Sequence, residues 1–138
     1  MTKPFFWPVR VYYEDTDAGG VVYYANYLKF FERARTERLR QIGFEQDELR
    51  QSLGVLFVVK SVQVNYLKPA HFNDSLLVSA QVTEVKRASL LFAQEIRLET
   101  PTGEKLCEAT IRVACLSDAE RKPAPIPGLL LERIKDVI

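Results

Sequence analysis

The sequence predicts an α+β domain in which a curved, five-stranded antiparallel sheet wraps around one long central helix. Three observations lead there. A two-residue apolar alternation opens the chain. A single long stretch with helical period follows it. Four more strand patterns then run in succession, joined by short connections.

Trp7, Val9, Val11 and Tyr13 alternate with Pro8, Arg10 and Tyr12, which reads as a first strand. A loop over residues 14–22 carries Asp15, Thr16, Asp17, Ala18 and the pair Gly19-Gly20. From about Ala25 the period changes. Tyr27, Phe30, Phe31, Ala34, Leu39 and Ile42 recur at helical spacing, while Glu32, Arg33, Glu37, Arg38 and Arg40 supply polar positions. Asn26 is the expected N-cap and Gly43 the expected stop. A short helical stretch is expected around Glu45–Ser52.

The strands that follow are Val55–Tyr66, then a run centred on Leu76, Val78, Ala80 and Val82. Next come Leu90, Phe92, Ile96 and Leu98, and finally Cys107, Ala109, Ile111, Val113 and Cys115. The last three are half-apolar, as an antiparallel sheet covered on one face requires. Connections at Lys86–Ser89 and Thr100–Gly103 are short enough for consecutive hairpins. Pro123, Pro125 and Pro127 end the sheet, and Gly128–Ile138 is expected as a tail helix. One helix cannot cover both faces of such a sheet, so a face or edge is left for a second copy.

Composition narrows the function. The 138 residues suit one domain, 1–138, able to bury roughly two-thirds of its unfolded surface without a staple. Nineteen basic against eighteen acidic residues give a net charge of +1, which is no footprint for nucleic acid. The N-terminus lacks the apolar stretch of a signal peptide, and no uncharged run approaches the roughly 20 residues of a transmembrane span, so a cytoplasmic location is expected. Cys107 and Cys115 lie eight apart in one strand, about 27 Å at ~3.4 Å per residue, too far to pair within a chain. No Cys/His spacing suits a metal, and no P-loop or dinucleotide fingerprint occurs.

The informative stretch runs from Tyr13 to Tyr27. It sets a carboxylate on a glycine-bearing loop just before the first turn of a helix. The first N–H groups of a helix have no partner within it and carry the positive end of its dipole. A carbonyl oxygen docked there is stabilised as it becomes an oxyanion, while Asp17 attacks the carbon or activates a water. That apparatus suffices for an activated ester. On spacing alone, the alternative that Asp15 and Asp17 only hold the loop and cap the helix stays open.

From Trp7-Pro8-Val9-Arg10-Val11-Tyr12-Tyr13 through Phe31-Glu32-Arg33-Ala34-Arg35-Thr36-Glu37, and more weakly to about Pro125, the chain resembles the 4-hydroxybenzoyl-CoA thioesterase family. Within it the chain closely resembles the Tol-Pal-associated acyl-CoA thioesterase branch (YbgC-type). The resemblance implies the hotdog fold, in agreement with the element order. It also implies hydrolysis of acyl-CoA, with acyl carrier protein as a further possible acyl donor and no separate cofactor. The family's catalytic carboxylate falls on Asp17 and its oxyanion-binding N–H near Tyr24. Its CoA-contacting hairpin falls on Lys86, Arg87 and Ser89, where a basic pair and a hydroxyl suit phosphate groups. Homodimers that assemble into homotetramers are implied as well.

One departure stands out. The Tol-Pal branch usually carries His where this chain has Tyr24, so an imidazole acid or base is missing there. The sole histidine, His71, falls in a turn between strands and reads as a loop residue. Glu32, flanked by Arg33 and Arg35, reads as a structural ion-pair or hydrogen-bond partner. Two other classes remain in view: a hotdog dehydratase, which the lack of a suitably placed His disfavours, and a non-catalytic acyl-binding scaffold of the cell envelope.

Overall fold

A computed structural model of the chain describes residues 4–138. The elements are β1 (Phe6–Arg10), a 3-10 turn (Tyr13–Asp15), α1 (Asn26–Gln41), α2 (Gln46–Leu53), β2 (Val55–Tyr66), β3 (Ser75–Ser79), β4 (Gln81–Lys86), β5 (Ser89–Leu98), β6 (Lys105–Ser117) and α3 (Gly128–Lys135). The strands form one antiparallel sheet in the order β1-β3-β5-β6-β2, with β4 also pairing β5.

α1 lies in the concavity of this sheet. Its Phe30, Phe31 and Ala34 are fully buried, together with Leu76, Leu90, Phe92, Ile96 and Ile111 of the strands. Burying a phenylalanine contributes about 1.5–3 kcal/mol, so α1 and the sheet hold each other in place. Strand faces follow the alternation read from the sequence: Cys107, Ala109, Ile111, Val113 and Cys115 all point inward. Both cysteines are free and buried.

Four expectations need correction. The strand expected around Leu76–Thr83 is divided at Ala80, giving six strands rather than five. At the break the ladder is replaced by side-chain bonds. Glu95 N–H donates to Ser79 Oγ at 2.8 Å, and Gln94 Nε2 donates to the Ser79 carbonyl at 2.9 Å. The interruption lets the sheet bend around α1.

The first strand also stops early, at Arg10. Tyr13, expected to point inward, is 79% exposed in the 3-10 turn. Asn26 is the first residue of α1 rather than its cap. Its Nδ2 donates 2.9 Å to the Asp15 carbonyl, tying the helix to the preceding loop. Arg38, assigned to the polar face, is buried. Its guanidinium lies 5.2 Å from the Phe5 ring centroid and donates to Gln41 Oε1, a cation–π contact that makes the burial tolerable. Gly43 (φ +99°) ends α1 as expected, and the tail helix closes at Lys135.

Candidate active site

The two carboxylates of the loop have separate work. Asp15 is buried, and its Oδ2 accepts the Tyr12 N–H at 2.8 Å, while its carbonyl accepts the Tyr23 N–H at 2.9 Å and the Asn26 side chain. Asp15 therefore pins both ends of the loop. Asp17 is exposed, and its Oδ1 accepts the Gly19 N–H at 2.8 Å. A Cβ at position 19 would stand 3.2 Å from that oxygen, so glycine leaves the carboxylate room to lie against the turn. Gly20 closes the turn at φ +79°, in the left-handed region that glycine enters without strain. Val22 N–H then donates to the Ala70 carbonyl at 2.8 Å, docking the loop on the segment ahead of β3.

Next in sequence comes the start of α1. Among the described residues, no acceptor takes the N–H of Tyr24, Ala25 or Tyr27. Those of Ala25, the N-cap, and Tyr27 belong to the positive end of a 16-residue helix, and that of Tyr24 stands just ahead of it. Tyrosines surround them. The Tyr66 hydroxyl donates 3.1 Å to the Tyr24 carbonyl, and the Tyr24 and Tyr66 rings meet edge to face at 6.1 Å. The buried Tyr27 hydroxyl accepts the Ala70 N–H at 3.0 Å, and its pKa is raised, chiefly by burial.

Asp17 and the first turn of α1 are thus neighbours on one short segment. The thioesterase-like superfamily pattern matches residues 11–134 of the chain. The acyl-CoA thioesterase YbgC of Haemophilus influenzae is 49% identical over 92% of this chain and 91% of that protein. The YbgC thioesterase of Helicobacter pylori is 34% identical, covering 93% and 98%. This chain belongs to the YbgC-type acyl-CoA thioesterase family. Membership makes it an enzyme of the thioester-hydrolase class. A 1,4-dihydroxy-2-naphthoyl-CoA thioesterase from Synechocystis shares the fold, with TM-score 0.88, 25% identity and 98% of each chain covered.

For a YbgC-type protein, the placement of the basic hairpin is informative. Arg10 pairs with Ser75 and Leu76 with Leu98, so the Asp17 loop sits at the Leu98 end of β5. Lys86 pairs with Ser89 at the opposite end. Nine steps at ~3.3 Å put these ends about 30 Å apart. One chain does not bring them together. Two of the three hairpin residues are also engaged, Lys86 with Glu84 at 3.4 Å and Ser89 Oγ with Arg112 at 3.1 Å. Arg87 is exposed with no side-chain partner among the described residues.

His71 is an exposed loop residue, as expected, though its backbone bridges Val21 beside the Asp17 turn. Glu32 is exposed and accepts the Thr36 hydroxyl at 3.3 Å. Tyr66 was not foreseen. It ends an apolar strand, and nothing in its local sequence marks the contact it makes across 42 residues with Tyr24.

Proposed function

We propose that the chain hydrolyses acyl-CoA thioesters, with Asp17 as nucleophile or general base and the start of α1, near Tyr24, as the oxyanion site. The observation that carries this reading is the Asp17 carboxylate held on a fixed turn directly ahead of unpartnered helix N–H groups. The thioester carbonyl oxygen lies on those N–H groups, which strengthen their bonds as charge develops. As nucleophile, an Asp17 oxygen adds to the carbonyl carbon, CoA leaves as thiolate, and water cleaves the resulting anhydride. As base, Asp17 takes the proton of a water that attacks the same carbon, with the same products. The Tyr24 side chain offers no proton acceptor comparable to the Asp17 carboxylate, so position 24 acts through its backbone.

The acting unit is a homodimer. β2 is a 12-residue edge strand paired only with β6 among the described residues, and Val59 and Val62 on it are exposed. On the far side the sheet ends in two short strands, β1 of five residues, blunted by Pro8, and β4 of six. Antiparallel pairing of β2 with its copy reverses strand direction across the two-fold axis. The Asp17 end of one subunit then faces the hairpin end of the other. That supports a CoA site in which Lys86, Arg87 and Ser89 come from the second subunit, and dimers stack through the remaining sheet face into tetramers. Acyl carrier protein as a second acyl donor, a cytoplasmic location and service to the Tol-Pal system complete the proposal.

Thiol release across short, long and aromatic acyl-CoAs tests it. Turnover of at least one class is expected. No turnover of any, by a protein that binds acyl-CoA, would leave the non-catalytic scaffold reading in its place.

A further inference from the structure

One buried charge takes no part in that chemistry. Arg35, on the sheet side of α1, is 8% exposed, yet it enters none of the ion pairs among the described residues. Its Nη1 donates 3.0 Å to Gln94 Oε1. Gln94 has no freedom to turn, because its Nε2 already donates to the carbonyls of Phe31 (3.0 Å) and Ser79 (2.9 Å). A guanidinium has five N–H donors, and this single side-chain bond leaves most of them unused. No fully buried side-chain nitrogen lacks a partner among the described residues, so the rest of the fork reaches open space. That space is a cavity of about 130 Å³ under the second half of α1, apolar on its sheet side, where Phe57, Leu90, Phe92 and Val113 line it, and polar on its helix side, where Glu32 and Thr36 do.

We propose that this cavity binds a small carboxylate-bearing group, with the carboxylate on the Arg35 fork and the hydrocarbon against the apolar walls. The geometry selects the class in three ways. A planar fork takes a carboxylate through two parallel bonds. A cavity of about 150 Å³ accommodates benzene, so the group is short or a single ring. Burial depresses the Arg35 pKa and Glu32, one turn away, only partly opposes this; an anion in the cavity opposes it further. Such a carboxylate has two sources: a free small acid, or the far end of a dicarboxylic acyl group still attached to CoA. The second source rests on the thioesterase reading, and the exposed Val59 of β2, on the edge where the second subunit is placed, lines the cavity.

The test titrates the full chain with benzoate and with benzyl alcohol, following the Gln94 side-chain amide by NMR. Benzoate is expected to shift that resonance and to bind at least about tenfold tighter than the alcohol, a charge-assisted against a neutral contact. Arg35→Met is expected to erase the difference. If that variant does not fold, the wild-type Gln94 response still decides. No shift with benzoate, equal binding of alcohol and acid, or a preference that survives in Arg35→Met overturns the site. Succinyl-CoA against butyryl-CoA separates the sources. A lower KM for succinyl-CoA, lost in Arg35→Met, assigns the acyl terminus, and no difference assigns the free acid. Absence of turnover on both, with benzoate binding intact, counts against the hydrolase reading and leaves the cavity site standing.

Discussion

Neighbouring residues of one type divide sharply here. Asp15 and Asp17 are two apart, yet one is buried scaffold and the other an exposed carboxylate. Asp15→Ala leaves the Tyr12 N–H without its acceptor and is expected to cost about 1–3 kcal/mol. Asp17→Asn is expected to move the melting temperature little; thermal unfolding of both variants checks the contrast. The tyrosines are graded likewise. Tyr24→Phe removes at most one hydrogen bond to the reaction, about 0.5–1.5 kcal/mol, while a loss of a thousandfold or more in kcat/KM, about 4 kcal/mol, would make the phenol itself catalytic. Tyr66→Phe frees the Tyr24 carbonyl and is expected to lower kcat severalfold with KM nearly unchanged, since it loosens the donors and not the substrate contacts. Cys107 gives a pH signature. Burial pushes its thiol up to about 12, so the unfolded chain loses that proton first. Stability should therefore fall as pH rises above about 9, by up to ~1.4 kcal/mol per unit from this group, and Cys107→Ala should flatten the slope in urea unfolding measured from pH 8 to 11.

At the scale of elements, periodicity carried much of the information. The inward face of β6 and the Phe30, Phe31, Ala34 stripe of α1 could be read because each side chain's neighbours in sequence are also its neighbours on one face. The misreadings share another cause: each depends on a partner distant in sequence. Arg38 looks polar until Phe5 is found against it. Ala80 looks like mid-strand until Gln94 and Glu95 take over the Ser79 hydrogen bonds. Gln94 itself sits at an inward position of β5, where alternation asks for an apolar residue. Of the site, the Asp17 turn was legible because Gly19 and Gly20 stand beside it. The tether from Asn26 to the Asp15 carbonyl and the Tyr66 hydroxyl on the Tyr24 carbonyl were not. Gly20→Ala tests the turn as an element: a φ of +79° strains any other residue, by about 1–2 kcal/mol, and misplaced Asp17 should reduce turnover beyond what the melting temperature explains.

Across the whole molecule the decisive feature is distance. The Asp17 loop and the Lys86–Ser89 hairpin occupy opposite ends of β5, so a site that uses both must draw on two subunits. Light scattering at micromolar concentration is expected to give a dimer or tetramer, and a monomer would sink the composite site. Mixing Asp17→Asn subunits with subunits whose hairpin is altered, Lys86→Ala with Arg87→Ala, should restore one good site per mixed dimer and recover activity that neither parent shows at low substrate. The proposed hydrolysis nonetheless turns on one carboxylate. Its most direct test is kcat/KM of Asp17→Asn against wild type on the best acyl-CoA, with fold and assembly checked in the same sample. An intact oligomer with thioester hydrolysis abolished is expected; activity within about tenfold of wild type, roughly 1.4 kcal/mol of barrier, would contradict a catalytic Asp17.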